Sequence, residues 1–128
     1  MSEKKYNLED VKAWAMYEIG IEGWGFIYRE NDRERHLGGI LGGIDCFYYI
    51  NGEPSCIVAR MLHRHGIIDE DKSAPYEGTA ATTLIRGVAM DRFTESALDF
   101  IGALQFHQDK GDTWGESYRL ASDQTNSE

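Results

Sequence analysis

The sequence predicts a mainly α, single-domain fold of four to five helices. There is room for one small β ribbon near residues 24–28 and 46–50, which would make it α+β. Three observations lead there. A chain of 128 residues is the size of one ordinary core. Apolar residues make up 41% and charged residues 27%, a globular rather than a disordered mixture. Most apolar residues recur at helical spacing, between recognisable caps and glycine stops. No internal repeat or low-complexity segment divides the chain. Residues 1–128 therefore read as one globular domain, with a polar tail at 122–128 that frays.

Asn7 is placed to cap a first helix, with Glu9 and Asp10 at the positive end of the helix dipole. Leu8, Val11, Ala15 and Ile19 form its apolar face, Trp14 widens that face, and Gly20 is the expected stop. Residues 23–28 are aromatic and β-branched without a helical period, which suggests a short extended segment. Residues 31–35 are a charged turn. Residues 37–44 mix four glycines with four aliphatics, a composition that suits a loop packed on the core better than helix or strand. No Gly-Lys-Ser/Thr or G-x-G-x-x-G spacing makes it a phosphate loop.

Residues 46–50 have strand propensity and Asn51-Gly52 is a turn signal, but Pro54 argues against a full hairpin. Pro54 fits the first turn of a helix over 54–65, ended by Gly66. Val58, Met61, Leu62 and His65 share one face of that helix with Ile57 beside them, while Arg60, His63 and Arg64 lean to solvent. Residues 69–75 read as a polar connector. A third helix over 78–88 carries Ala80, Ala81, Leu84, Ile85 and Val88, with a break at Asp91-Arg92. The longest helix is capped by Thr94, buries Ala97, Phe100, Ile101, Leu104 and Gln108 with Leu98 beside them, and ends at Gly111. Thr113-Trp114-Gly115-Glu116 has capping-box spacing and opens a last short helix that reaches Ala121.

Charge narrows the function. Thirteen basic against 22 acidic residues give a net charge of −9, which opposes binding to nucleic acid or to an anionic membrane surface. No apolar run approaches the roughly 20 residues that span a bilayer. No apolar h-region follows Lys4-Lys5, and two cysteines are too few for a disulfide scaffold. The expectation is a soluble, cytoplasmic protein with no membrane and no direct nucleic-acid partner.

Few residues carry candidate chemistry. Cys56 falls in the first turn of the 54–65 helix, where the dipole lowers a thiol's pKa and suits a nucleophile. On that rigid helix His63 and His65 lie roughly 10 to 14 Å from it, which leaves His36 and His107 as candidate bases brought close by folding. The plainer reading is a small buried thiol. Cys46, Cys56, His63 and His65 match no zinc spacing, and two histidines two apart diverge by about 200° on a helix. No metal and no cofactor is expected. The acidic cluster Asp69-Glu70-Asp71 reads as a solvated loop. Aromatic residues crowd the first half, and Trp24, Tyr28, Tyr48 and Trp114 are the candidates for an interaction face. Trp114 is also placed to pack over the end of the long helix, where Gln105 and Gln108 can satisfy exposed backbone groups.

Two segments carry a resemblance. The first is Gly52-Glu53-Pro54-Ser55-Cys56-Ile57-Val58, continuing to Gly66. The second is Phe93-Thr94-Glu95-Ser96-Ala97-Leu98, continuing through Gln105, Gln108 and Asp109 to Gly111-Asp112-Thr113-Trp114-Gly115-Glu116. In that order they resemble small uncharacterised proteins encoded by phages of actinobacteria. The resemblance covers about half the chain and departs at Ala59, where it would put glycine. It implies a phage context inside a bacterial cell and assigns no activity or catalytic residue. The function expected is a non-enzymatic protein-binding module, a phage-encoded modulator of a host or phage protein. One alternative is a cysteine-dependent hydrolase centred on Cys56. The other is an acidic nucleic-acid mimic that inhibits a DNA-binding enzyme. The 22 acids are interspersed with 13 basic residues, which weighs against the ordered anionic face a mimic needs.

Overall fold

Helix formation dominates the chain, and the computed structural model describes residues 5–28 and 48–125, with only the backbone of Met90. The expectations for residues 31–35, 37–44, His36 and Cys46 lie outside the described residues. The fold is mainly α, with one small antiparallel ribbon among the described residues.

α1 spans Leu8–Glu22 behind a reciprocal cap: the Asn7 side chain accepts from the Asp10 N–H and the Asp10 carboxylate accepts from the Asn7 N–H. It runs past Gly20, whose Cβ position has no described neighbour within 4 Å, and stops at Gly23, where φ is +105°. That corrects the expected stop. A glycine costs a helix only about 1 kcal/mol, whereas a positive φ ends it.

The ribbon pairs β1 (Tyr49–Ile50) with β2 (Glu53–Pro54) across Asn51-Gly52, both at positive φ. The expected ribbon is present at 49–50, paired with 53–54 rather than with 24–28, and Pro54 sits in a strand rather than a helix. The register explains why. Tyr49 faces Pro54 in a non-hydrogen-bonded pair, so the N–H that proline lacks is not needed. The next bond, from the Ser55 N–H to the Tyr48 carbonyl (2.8 Å), is intact. Residue 27 bridges Thr113 instead.

α2 then runs over Ile57–Arg64, with Gly66 at φ +73° beyond it. Val58, Ala59, Met61 and Leu62 are buried; His65 is exposed, not on the buried face. The expected polar connector contains a short helix, α3 (Glu70–Ser73), capped by Asp69, which accepts from the Lys72 N–H. A 3-10 turn follows at Ala74–Tyr76. α4 covers Ala81–Ala89, and a 3-10 turn at Met90–Arg92 makes the break.

α5 (Glu95–Asp109) is the axis of the fold and packs against α1, α2, α4 and α6. Its buried residues are Ala97, Leu98, Phe100, Ile101, Leu104, Gln105, His107 and Gln108. α6 extends over Trp114–Gln124, beyond the expected Ala121, because Thr113 caps it and Ser117 and Ala121 are buried against the core.

Two buried glutamines tie α5 to helices that start elsewhere. Gln108 Oε1 accepts from the Ile57 N–H (2.9 Å) at the start of α2 and from the Trp114 indole (3.1 Å). Gln105 Oε1 accepts from the Ala81 N–H (2.5 Å) at the start of α4. Each supplies from a distance the cap that the local residue does not.

Candidate functional site

The residues singled out from sequence are mostly interior. Cys56 is fully buried and disulfide-bonded, so no thiol is available in the position suited to a nucleophile. His107 is buried in the α5–α6 corner, its Nε2 3.1 Å from Gln124 Oε1 and its Nδ1 3.5 Å from the Asp112 carboxylate. His63 bonds the Tyr49 hydroxyl through Nδ1 (2.7 Å), while His65 lies flat on Trp14 with ring centres 4.0 Å apart. Burial, and then the neighbouring Arg64, lower the His65 pKa. Among the described residues, no group of three or more His, Cys, Asp or Glu side chains is placed to hold a metal ion.

The four aromatic candidates divide sharply. The Tyr48 hydroxyl donates to the Thr79 carbonyl (2.5 Å) and accepts from Gln105 Nε2 (3.3 Å), and burial pushes its pKa up to about 12. Tyr28 is buried with its hydroxyl 2.6 Å from Ser55 Oγ. Trp114 is fully buried, edge-on to Phe26 at 4.6 Å. Burial removes these three from any surface a partner could touch. Trp24 is the one that reaches solvent, at 52% exposure.

Trp24 does not stand alone. α1 buries Leu8, Val11, Trp14, Ala15 and Ile19 on one side. Its other side carries Ala13, Met16, Tyr17, Gly20 and Ile21, all exposed, and Trp24 continues the line one turn on. Tyr17 and Ile21 are 56% and 52% exposed. The helix is apolar on both sides, and a helix of that kind is normally covered on both. Sequence reasoning missed Met16, Tyr17 and Ile21. Their signal was present: they interrupt the side opposite the Leu8–Val11–Ala15–Ile19 stripe, where a surface helix carries polar residues.

Local structure holds Trp24 in place. The turn at Gly23 brings residues 24–27 against the start of α6, where the Trp114 N–H donates to the Phe26 carbonyl (2.8 Å) and the Gly115 N–H to the Trp24 carbonyl (3.0 Å). A Cβ on Gly115 would stand 2.5 Å from Trp24 Cε3, so only glycine lets the indole lie there. Tyr118 meets it edge-on at 6.0 Å. The two rings wall an open groove of about 690 Å³ whose rim includes Lys12, Glu116, Arg119 and Asp123.

Most charges around this surface are paired. Arg60 binds Glu22 (2.6 Å), and Arg64 binds the buried Glu18 (2.5 Å) while lying over the Tyr17 ring. Arg119 is shared by Glu116 and Asp123, and its hydrogen bond holds the Glu116 carboxyl below its ordinary range. Lys12 makes no ion pair among the described residues. Apolar side chains and paired charges can bind. Comparison of the chain with protein-family models, curated proteins and solved structures finds no match in any of the three. No helix is long and apolar enough to cross a membrane among the described residues.

Proposed function

We propose that this chain is a non-enzymatic protein-binding module that uses the outer side of α1 and the adjoining Trp24 groove. The observation that carries the reading is the exposure of Met16, Tyr17 and Ile21 together on α1, with Trp24 exposed in the turn that follows it. Contiguous exposed apolar surface of this kind marks an interaction site in a folded chain, whereas single exposed residues do not. The resemblance to actinobacterial phage proteins suggests the setting: a phage-encoded modulator of a host or phage protein in the bacterial cytoplasm. The resemblance supports that compartment, and the Cys56 disulfide points away from a reducing one. The same disulfide weighs against the cysteine-hydrolase alternative. Mimicry of nucleic acid gains no support from acids tied up with arginine at Glu18, Glu22, Glu116 and Asp123.

The test is affinity capture from an actinobacterial lysate with the wild-type chain and with Ile21→Arg. Both should melt at the same temperature, since Ile21 is half exposed. The wild type should retain a protein that the variant loses. Equal retention by both, or none by either, would overturn the reading.

A further inference from the structure

The outer side of α1 is specific enough to say what lies on it. We infer that the partner contributes an amphipathic α-helix with basic flanks; this rests on the protein-binding reading above. The first argument is spacing. Ala13 and Gly20 are exposed and seven residues apart, so the two low points of the surface lie about 10.5 Å apart. Among the described residues, nothing stands within 4 Å of the position a Gly20 Cβ would take. Tyr17 rises between them, and Ile21 and Trp24 rise beyond Gly20. A partner helix places apolar side chains seven apart at the same 10.5 Å and can seat one in each low point. A strand repeats on one face every ~6.8 Å and would miss the second by roughly 3 Å.

The second argument is charge. The chain carries −9 overall. Around the surface, Glu22 is satisfied by Arg60 and Arg64 by Glu18, while two carboxylates, Glu116 and Asp123, share one arginine. Glu9 and Asp10 lie at the N-terminal end, and neither makes an ion pair among the described residues. Acid is in excess on the rim, so basic flanks on the partner complete the match and acidic ones are rejected. A second copy would set one −9 chain against another.

The experiment titrates the isotopically labelled full chain with synthetic peptides of about three heptads, leucine at a and d. One has Lys and Arg at e and g, a second has Glu there, and a third is the basic peptide with its order scrambled. The basic heptad peptide should bind saturably and shift the amides of Ala13, Tyr17, Gly20 and Ile21 and the Trp24 indole. The acidic and scrambled peptides should bind at least about tenfold more weakly. Gly20→Leu fills the second low point without changing charge or removing any contact. It should keep the melting temperature and weaken the basic peptide at least about tenfold, as overpacked knobs do. Equal binding of the acidic or scrambled peptide, unchanged affinity of Gly20→Leu, or shifts located elsewhere would overturn the inference. So would a wild-type dimer in sedimentation that Tyr17→Asp dissolves, which would make the occupant a second copy. If no peptide binds yet Ile21→Arg still abolishes capture from lysate, the surface binds protein and only the helical, basic occupant is wrong. If Ile21→Arg captures as wild type does, the surface reading falls and this inference with it.

Discussion

Replacing Gln108 with leucine should destabilise the fold far more than a buried polar-to-apolar change of similar size ordinarily does. Gln108 Oε1 accepts two hydrogen bonds, from the Ile57 N–H (2.9 Å) and from Trp114 Nε1 (3.1 Å), and all three groups are buried. Leucine fills the space and leaves both donors without an acceptor. Each orphaned buried donor costs about 1–3 kcal/mol, so the expected loss is about 2–6 kcal/mol out of the 5–15 kcal/mol that such domains have. For a chain of 128 residues one kcal/mol is worth about 4 °C, so melting should fall by roughly 8–24 °C. Thermal unfolding followed by circular dichroism measures it. Trp114→Phe removes one donor on its own, and the double variant Gln108→Leu with Trp114→Phe should recover part of the sum. The coupling expected for groups in contact is about 0.5–3 kcal/mol. A drop of less than about 4 °C for Gln108→Leu, or additive single variants, would show that these bonds do not tie α5 to α2 and α6.

Gly115→Ala would place a Cβ 2.5 Å from Trp24 Cε3 and 2.8 Å from its carbonyl oxygen. Backbone must then move, and the tryptophan emission should shift; a wild-type spectrum would contradict the close approach. His65 titrates below its ordinary value of 6.5 because partial desolvation against the Trp14 ring, and then the neighbouring Arg64, disfavour its charged form. The stability it contributes is therefore present above the unfolded value and is lost as pH falls through the folded one. His65→Phe, which can keep the ring stack, should flatten that acid-side fall in melting temperature, and an unchanged slope refutes the assignment. Reduction of the Cys56 disulfide should lower stability by about 2–4 kcal/mol, and equal melting with and without reductant would show that the bond contributes nothing.

Caps and stripes were the legible part of this fold. Asn7, Thr94 and Thr113 cap the helices their positions predict, and the α5 stripe from Ala97 to Gln108 is buried as its spacing requires. These features are local, a side chain bonding a backbone group three residues away. What was not legible depends on contacts distant in sequence. Gly20 has the same local chemistry as Gly23, but only Gly23 must turn toward Thr113 and α6. Pro54 reads as a strand breaker until the register places it at a site that needs no N–H. Trp24 and Trp114 are alike in sequence, and the structure buries one completely beneath the segment that exposes the other. The interaction surface fell through for a related reason. Periodicity finds the side that packs inward and says nothing of the outer side of α1, where Met16, Tyr17 and Ile21 lie exposed.

Site-specific photo-crosslinking tests the central claim most directly. A crosslinker at Tyr17, on the outer side of α1, is compared with one at Phe106, on α5; both positions are well exposed, at 56% and 61%. In cells or lysate that contain the partner, position 17 should yield one dominant adduct and position 106 none. An adduct from position 106 alone, or equal adducts from both, would mean that α1 has no special role and that the protein-binding account of this chain is wrong.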